Sequence, residues 1–544
     1  MMEFLIDFCP YVIVALVLFV LGFNLSRREN RLRESTHEAV SLPWYSWEAI
    51  ASILLIALFS ALRYYTGNDY RMYLTNFQQL QAGMYKLYQA GMNVIRINFS
   101  HGTHEQQLSK LQIARSFEEK YGIYIPVCLD TKGPEIRTGM MEGGKVPVKK
   151  GQIIRITSEK ILGTAERFSC SYAGLYDDIQ IGHMILVDDG NLILKCIEKD
   201  EKTHEVIVEA QNNHYISDRK GMNIPEDDVS VPFISEQDEK DLQFGAENDV
   251  DGIFASFVRR PEDIRDMRAV LAKFGNPDIP IFAKIENPEG VRKIEEIIKE
   301  ADGIMVARGD LGDEIPPEQV PLVQRRIIKL CRRAGKPVIT ATQMLDSMTT
   351  HPRPTRAEVS DVATAIDESS DCVMLSGESA SGLYPVESVT MQANIAKAME
   401  SELPYENMAK EAYDVSDHTV NDAIANSIAN TALLINAKLI FNFTQTGRST
   451  KRISKARPCC PIISITCNRQ VALESGWLWG VYAHLIPTTM PDFIEEMEAI
   501  ALKLARDLGV MPGSQIIIAG GTPTGAGKTN FMRIVQTPVI KDFE

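Results

Sequence analysis

The sequence predicts an α/β fold: a (β/α)8-type barrel, interrupted by a small β domain and followed by a second α/β domain. Three observations predict it. From residue 91 onward, short apolar strands alternate with amphipathic helices. Between about residues 140 and 222 the helical period vanishes and alternating β-type segments replace it. Polar and charged residues gather just past the ends of the apolar strands, where barrel enzymes build one shared cleft.

Length and composition bound the answer. A chain of 544 residues exceeds a single core and implies several domains. It is 45% hydrophobic and 24% charged, as a globular protein is. A net charge of −15 argues against nucleic acid as a partner. Small anionic substrates remain open, since they need only a local cationic cluster. Nine cysteines include no CxxC pair; Cys459 and Cys460 are adjacent, and reduced thiols are expected.

The first domain expected, residues 1–78, differs from the rest. Tyr11 to Phe23 and Ile50 to Leu62 are apolar runs without charge, and the second is flanked by Trp44, Tyr45, Trp47, Tyr64 and Tyr65. Aromatic flanks suit a membrane-spanning helix, although each clean run is shorter than the roughly 20 residues a span needs. Two transmembrane helices are the expectation, with buried core helices as the alternative. Arg27, Arg28, Arg31 and Arg33 lie between the runs and would hold that loop in the cytoplasm.

The barrel is expected over residues 79–139 and 222–395. Its strands are predicted at 93–98, 123–129, 252–256, 279–285, 303–307, 337–340 and 372–375. Helices fill the gaps, for example at 261–273, 290–300 and 317–334. That makes seven βα units where a closed barrel has eight. The inserted domain is expected over 140–221, with β segments at 152–156, 183–187, 191–197 and 205–210. Asp188-Asp189-Gly190 supplies a turn between two of them. The last domain, 400–544, carries strands near 438–442, 461–466 and 515–519.

Six strand ends carry reactive groups. Arg96 and Asn98 end the first, with Ser100 and His101 following. Asp130, Thr131 and Lys132 end the second; Lys284 and Glu286 end another. Arg308, Gly309 and Asp310, then Thr342, then Ser376, follow the last three. Glu286 and Asp310 are two carboxylates that can hold a hard divalent cation, Mg2+ or Mn2+, through oxygen. Lys284 and Arg96 are cations suited to charge on a transferring phosphoryl group. Lys284 precedes Glu286 by two residues, so both side chains share one face of the strand.

The runs GMNVIRINFSHGTHE, LDTKGPEIRTG, VDDGN, KGMNIP, FASFVR, AKIEN, VARGDLG, ATQMLDSM, RPTRAEVSDVA and MLSGESA, in that order, resemble pyruvate kinase over about 450 residues. The resemblance implies transfer of phosphate from phosphoenolpyruvate to ADP, giving pyruvate and ATP, by a cytoplasmic homotetramer. It makes Arg96 and Lys284 contacts of the phosphoryl group, and Glu286 and Asp310 the Mg2+ ligands. Asn98, Ser100, Asp130 and Thr131 would surround K+, and Glu135 places the chain with the potassium-dependent members. Asn98, Ser100, His101, Arg137 and Lys220 would meet the nucleotide. Gly309 and Thr342 would contact substrate, Thr342 near proton delivery to the enolate, with Ser376 in a proton relay. Thr444, Thr446, Gly447, Arg448 and Ser449 follow a strand and open a helix, which makes a phosphate nest. That loop resembles the family's allosteric pocket for a phosphorylated effector. Gly521 to Thr529 looks like a P-loop, but its spacing is wrong, since Thr522 stands where the first glycine belongs.

The chain departs from the family at its start. No stretch resembles the family's first strand, while residues 79–90 resemble its first helix. The head, with Arg63 to Tyr70 and Tyr73, resembles the start of polysaccharide-polymerase-type membrane proteins. That topology would set the catalytic domain outside the cytoplasm, so the head reads as a fusion or a gene-model join. Asp313 stands where an aliphatic residue is usual, and Asp367-Glu368 replaces an apolar residue followed by Asp. Two further expectations follow: a catalytically impaired remnant, or a membrane-fused metabolite-binding protein.

Overall fold

The computed structural model describes residues 80–188, 190–414, 418–487, 489–522 and 529–539. Both apolar runs of the head lie outside these residues. Among the described residues, no helix is long and apolar enough to cross a membrane. Most of the P-loop look-alike, residues 523–528, also lies outside them.

Seven parallel strands form one sheet in chain order: β1 (Ile95–Asn98), β2 (Val127–Asp130), β3 (Gly252–Ala255), β4 (Ile281–Ile285), β5 (Gly303–Ala307), β6 (Val338–Ala341) and β7 (Cys372–Met374). Each anticipated apolar run carries one of them. The five strands from β2 to β6 are buried at every residue. Continuous apolar runs are what a parallel sheet covered on both faces requires. Among the described residues the ladder runs from β1 to β7 and stops there. Every residue of β7 is only half-buried, as an outer strand's would be.

Local sequence signals set the helices between the strands. In α1 (His104–Tyr121), Thr103 and Gln106 form a capping box, and Gly122 closes the helix at φ 64°. The short α2 (Arg308–Glu314) begins directly at the end of β5. In α3 (Arg356–Asp367), Thr355 and Glu358 form the box. Glu358 also accepts from the Ser347 backbone and hydroxyl, at 2.7 and 2.6 Å, which ties α3 to the loop after β6.

The inserted domain has a six-stranded, mainly antiparallel sheet and a separate two-stranded ribbon, Lys145–Val148 with His214–Ser217. Ile154, Phe168, Leu194 and Val208 are fully buried in its own core. Two chain crossings join it to the barrel. Thr138 donates its backbone N–H to Lys220 O at 2.8 Å. Arg259, 5% exposed, donates to Val229 O at 2.8 Å and Val231 O at 2.7 Å, clamping the returning loop.

The last domain is a five-stranded sheet of β8 (Ile440–Phe443), β9 (Ile462–Thr466), β10 (Val481–Leu485), β11 (Gln515–Gly520) and β12 (Phe531–Gln536), ordered β10-β9-β8-β11-β12. It packs against the barrel through aromatics. Trp477 lies 5.2 Å from Phe282, edge to face, and Phe282 meets Phe254 the same way at 5.5 Å. Beside this contact sits a buried ion pair. Arg457 Nη1 lies 2.8 Å from Asp371 Oδ1, Nη2 donates to Ser369 O at 2.9 Å, and the guanidinium stacks 4.8 Å over Trp479. The described cysteines are all free thiols.

Breaking that pair is far worse than never having made it, because one charge is left buried without its partner. Arg457→Ala should therefore cost about 3–5 kcal/mol of stability. A lowered urea unfolding midpoint, measured by circular dichroism, would show it; an unchanged midpoint would contradict it.

Candidate active site

The carboxyl ends of β1 to β5 open into one cleft of ≈ 450 Å³. Arg96, Asn98, Ser100, His101, Asp130, Thr131, Ser256, Lys284, Glu286 and Asp310 line it. Glu135, Arg137 and Arg219 complete it from the junction with the inserted domain. Five strands thus deliver their terminal side chains to one volume, which no single sequence segment can do.

Its centre is a cluster of charges taken out of water. Lys284 Nζ lies 3.1 Å from Asp130 Oδ1 and 3.1 Å from Glu286 Oε1. Arg96 pairs with the other oxygen of Asp130. Ser256 Oγ lies 2.7 Å from Lys284 Nζ and 3.1 Å from Asp130 Oδ1. Burial works against the Lys284 ammonium, but Asp130 and Glu286 outweigh it and hold its pKa above the usual lysine range. Burial would likewise raise Asp130, yet Lys284 and Arg96 keep it ionised below the ordinary carboxylate value. Glu286 goes the other way. Burial, with Asp310 and Asp130 adding to it against the pull of Lys284, pushes its carboxyl up to about 7.

The donor set suits a hard divalent cation. Glu286 is 1% exposed, and its Oε1 accepts no hydrogen bond. Its other oxygen accepts from the Phe257 backbone at 2.6 Å, while Oε1, in ion-pair contact with Lys284, lies in the cleft that Asp310 also lines. No group of three or more His, Cys, Asp or Glu is assembled as a cage among the described residues. Two carboxylates with open positions fit magnesium, which keeps waters and takes further oxygens from a phosphorylated substrate.

The remaining expected site residues divide by place. Thr342 and Gly309 meet at the ends of β6 and β5, where Gly309 N donates to Thr342 Oγ1 at 2.7 Å. Ser376 caps the turn after β7, where its backbone N–H donates to Glu378 Oε2 at 2.7 Å. Lys220 pairs with Asp188 at 2.6 Å inside the inserted domain, while Arg137 forms a two-pronged pair with Glu135 at 2.8 and 3.0 Å. In the last domain the loop after β8 leads into α4 (Arg448–Lys455). Thr446 and Arg448 are exposed there. Ser449 is turned inward and accepts from Asn442 at 2.9 Å, and Thr444 Oγ1 accepts from Gly447 N at 3.0 Å.

Two participants escape sequence reading. Ser256 sits at a strand end like the others, and that placement rule alone would have found it. Phe257 contributes a backbone N–H, and it does so in a left-handed conformation, φ 56°, that its side chain does not advertise.

A barrel that gathers two carboxylates, a buried lysine and an arginine at its strand ends defines a metal-assisted phosphotransferase. Residues 77–389 match the family model "Pyruvate kinase, barrel domain", and residues 422–535 match "Pyruvate kinase, alpha/beta domain". The pyruvate kinase of Staphylococcus haemolyticus is 44% identical over 452 residues, covering 82% of this chain and 77% of that one. That of Geobacillus stearothermophilus is 43% identical over 451 residues, covering 82% and 76%. The crystal structure of a pyruvate kinase from Cryptosporidium parvum superposes with a TM-score of 0.78 at 38% identity, covering 83% of this chain and 92% of that one. The chain belongs to the pyruvate kinase family. It is a glycolytic transferase that moves phosphate from phosphoenolpyruvate to ADP, in a family that uses magnesium and potassium.

The inserted sheet runs past its expected end, since Met222–Asn223 pairs with Leu186 and Val187, and there it meets the helix that carries Asp310. Asn223 Nδ2 donates to Glu314 Oε1 at 2.6 Å. Burial, with Asp310 and Asp313 adding to it against this hydrogen bond, pushes the Glu314 carboxyl up to about 7. Its folded pKa thus lies above its unfolded value near 4.3. The stabilising contribution is complete in acid and is lost as pH rises through about 7. Glu314→Gln removes the buried charge but keeps the amide partner. In metal-free buffer it should raise the unfolding temperature by roughly 2–4 °C at pH 8 and by about nothing at pH 5. Differential scanning fluorimetry at the two pH values tests this, and equal shifts at both would refute it.

Proposed function

We propose that the cleft residues divide the reaction as follows. Glu286 and Asp310 hold Mg2+ or Mn2+, which when bound neutralises and orients the phosphoryl oxygens. Lys284 and Arg96 meet the phosphoryl group as it leaves phosphoenolpyruvate. The observation that carries this reading is the placing of Lys284 Nζ, 3.1 Å from both Asp130 and the metal-facing oxygen of Glu286. A cation held there by two buried carboxylates needs no rearrangement to stabilise developing charge.

Asn98, Ser100, Asp130 and Thr131 supply the oxygens for K+. Asn98, Ser100, His101 and Arg137, with Lys220 from the inserted domain, take the nucleotide. Gly309 and Thr342 contact the three-carbon substrate, and the Thr342 hydroxyl, with Ser376 behind it, delivers the proton that turns the enolate into pyruvate. Thr444, Thr446, Gly447, Arg448 and Ser449 take a phosphorylated effector. The working state is a cytoplasmic homotetramer.

A second reading, a remnant with impaired turnover, draws on one observation: β1 and β7 are the outer strands of the described sheet, and β7 is half-exposed. Pyruvate formation by the full chain, coupled to NADH oxidation with and without K+, separates the two. Turnover that needs K+ supports the first reading; a cooperative melt with no turnover supports the second.

Lys284→Met should lower kcat by about 10³-fold or more, and, because it leaves Asp130 and Glu286 buried without their cation, it should also cost stability. Asp310→Asn should raise the Mn2+ concentration for half-activity by roughly tenfold or more. Steady-state kinetics over a Mn2+ titration checks both. A Lys284→Met enzyme with near-normal kcat would remove the central role given to that lysine.

A further inference from the structure

Thr342 has a backbone that it should not adopt unaided. Its φ is 70°, and that of Gln343 is 53°, so two consecutive non-glycine residues stand in the left-handed region. For a β-branched residue this is a true outlier, and it persists only where the surroundings over-determine it. Here they are the Arg308 side chain and two main-chain groups, since the Thr342 hydroxyl donates to Ala341 O at 2.6 Å and accepts from Gly309 N. Arg308 Nη2 donates to Thr342 O at 2.8 Å, and its Nε donates to Ala341 O at 3.3 Å. The guanidinium is itself locked: Asp361 accepts from Nη1 at 2.6 Å and from Nη2 at 2.7 Å. Its side chain is only 10% exposed.

The clamp acts on the hydroxyl as well as the backbone. Gly309, the residue after Arg308, donates its N–H to Thr342 Oγ1 at 2.7 Å. A Cβ at Gly309 would meet that oxygen at 3.4 Å, an ordinary van der Waals contact, so the two strand ends lie directly against each other. Asp310 follows in the same turn. The segment that supplies the metal carboxylate therefore also fixes the threonine, through Arg308 and Gly309. Lysine cannot replace this fork, since it offers one point charge in place of a planar set of donors.

We propose that Arg308, locked by Asp361, is a positioning residue for the proton-transfer half of the reaction. It holds Thr342 in its left-handed conformation, with the hydroxyl set against Gly309. This rests on the reading of Thr342 as the group through which the proton reaches the enolate. In that step the carbon of the enolate gains a C–H bond, its C–O bond becomes a carbonyl, and the hydroxyl regains its proton from solvent. The phosphoryl group moves elsewhere in the cleft, at Lys284 and Arg96. Loss of the clamp therefore separates the two halves of the reaction.

The test uses the full chain and the variants Arg308→Lys, Asp361→Asn, Thr342→Ala and the double variant Arg308→Lys/Thr342→Ala. Exchange of the pyruvate methyl protons with D2O, followed by NMR in the presence of Mg2+, K+ and ATP, reads proton transfer. Single-turnover ATP formation in quenched flow reads phosphoryl transfer. In Arg308→Lys and Asp361→Asn, exchange should fall by about 10- to 100-fold while single-turnover ATP formation stays within about threefold. The double variant should exchange no more slowly than Thr342→Ala, because both changes remove one function. Equal losses in both readouts would mean that the clamp only supports the fold, and would overturn the proposal. Normal exchange in Arg308→Lys beside lost exchange in Thr342→Ala would overturn the clamp alone. Normal exchange in Thr342→Ala would instead overturn the role given to Thr342, and the clamp with it.

Discussion

The structure depends on one cluster at the carboxyl ends of β1, β2 and β4: Asp130, Lys284 and Glu286, all buried, with Arg96 half-buried beside them. Moving such charges out of water costs several kcal/mol each, and only close pairing offsets it. Pairing needs three strands held in fixed register, and the ladder supplies this by setting Arg96 beside Cys128 and Asn98 beside Asp130. At the centre of the cleft Lys284 and Arg96 face Asp130, Glu286 and Asp310, while Lys132, Glu135, Arg137 and Arg219 line the rest of it. Burial, with Asp310 and Asp130 adding to it against the pull of Lys284, drives the Glu286 carboxyl up to about 7. On the proposed reading, a divalent cation held there would offset the repulsion among these carboxylates and let the site take the charge of a phosphorylated substrate.

The rest of the molecule can be understood as support for this cluster. Phe257 aims Glu286 by a backbone N–H. Arg308 ties the Asp310 segment to Thr342, and Asp361 ties Arg308 to α3. The inserted domain reaches the same segment through Asn223 and Glu314. At the opposite end Trp477 fills the barrel floor against Phe282, and Arg457 bolts the last domain to Asp371, just before β7. Among the described residues β7, at one end of the ladder, is thus secured by the last domain.

Much of this was legible before any coordinates. All seven apolar runs became strands, because a fully buried parallel strand must be apolar throughout and a short run admits little else. Arg96, Asp130, Lys284, Glu286 and Asp310 were found because polar groups at the ends of such runs have one economical explanation. Other features were not legible. Ser449 lies in the expected effector loop, yet it points inward to Asn442, a direction set by the packing of α4 on β8. Phe257 acts through a main-chain atom common to every residue but proline. Asp361 sits on a helix whose sequence gives no sign that it faces Arg308.

The sequence by itself determined the places of the seven barrel strands, the residue types at each strand end and the family. These follow from local periodicity and from motifs that any chain with this chemistry must carry. Only the tertiary structure decided which of those residues share a cleft, which carboxylate stays ionised and which is forced towards neutrality. It also showed that Thr342 is held in a conformation its own chemistry disfavours. The physical reason is the same in each case. Burial, pairing and strain depend on groups tens or hundreds of residues apart, and their distances exist only once the strands have been brought together.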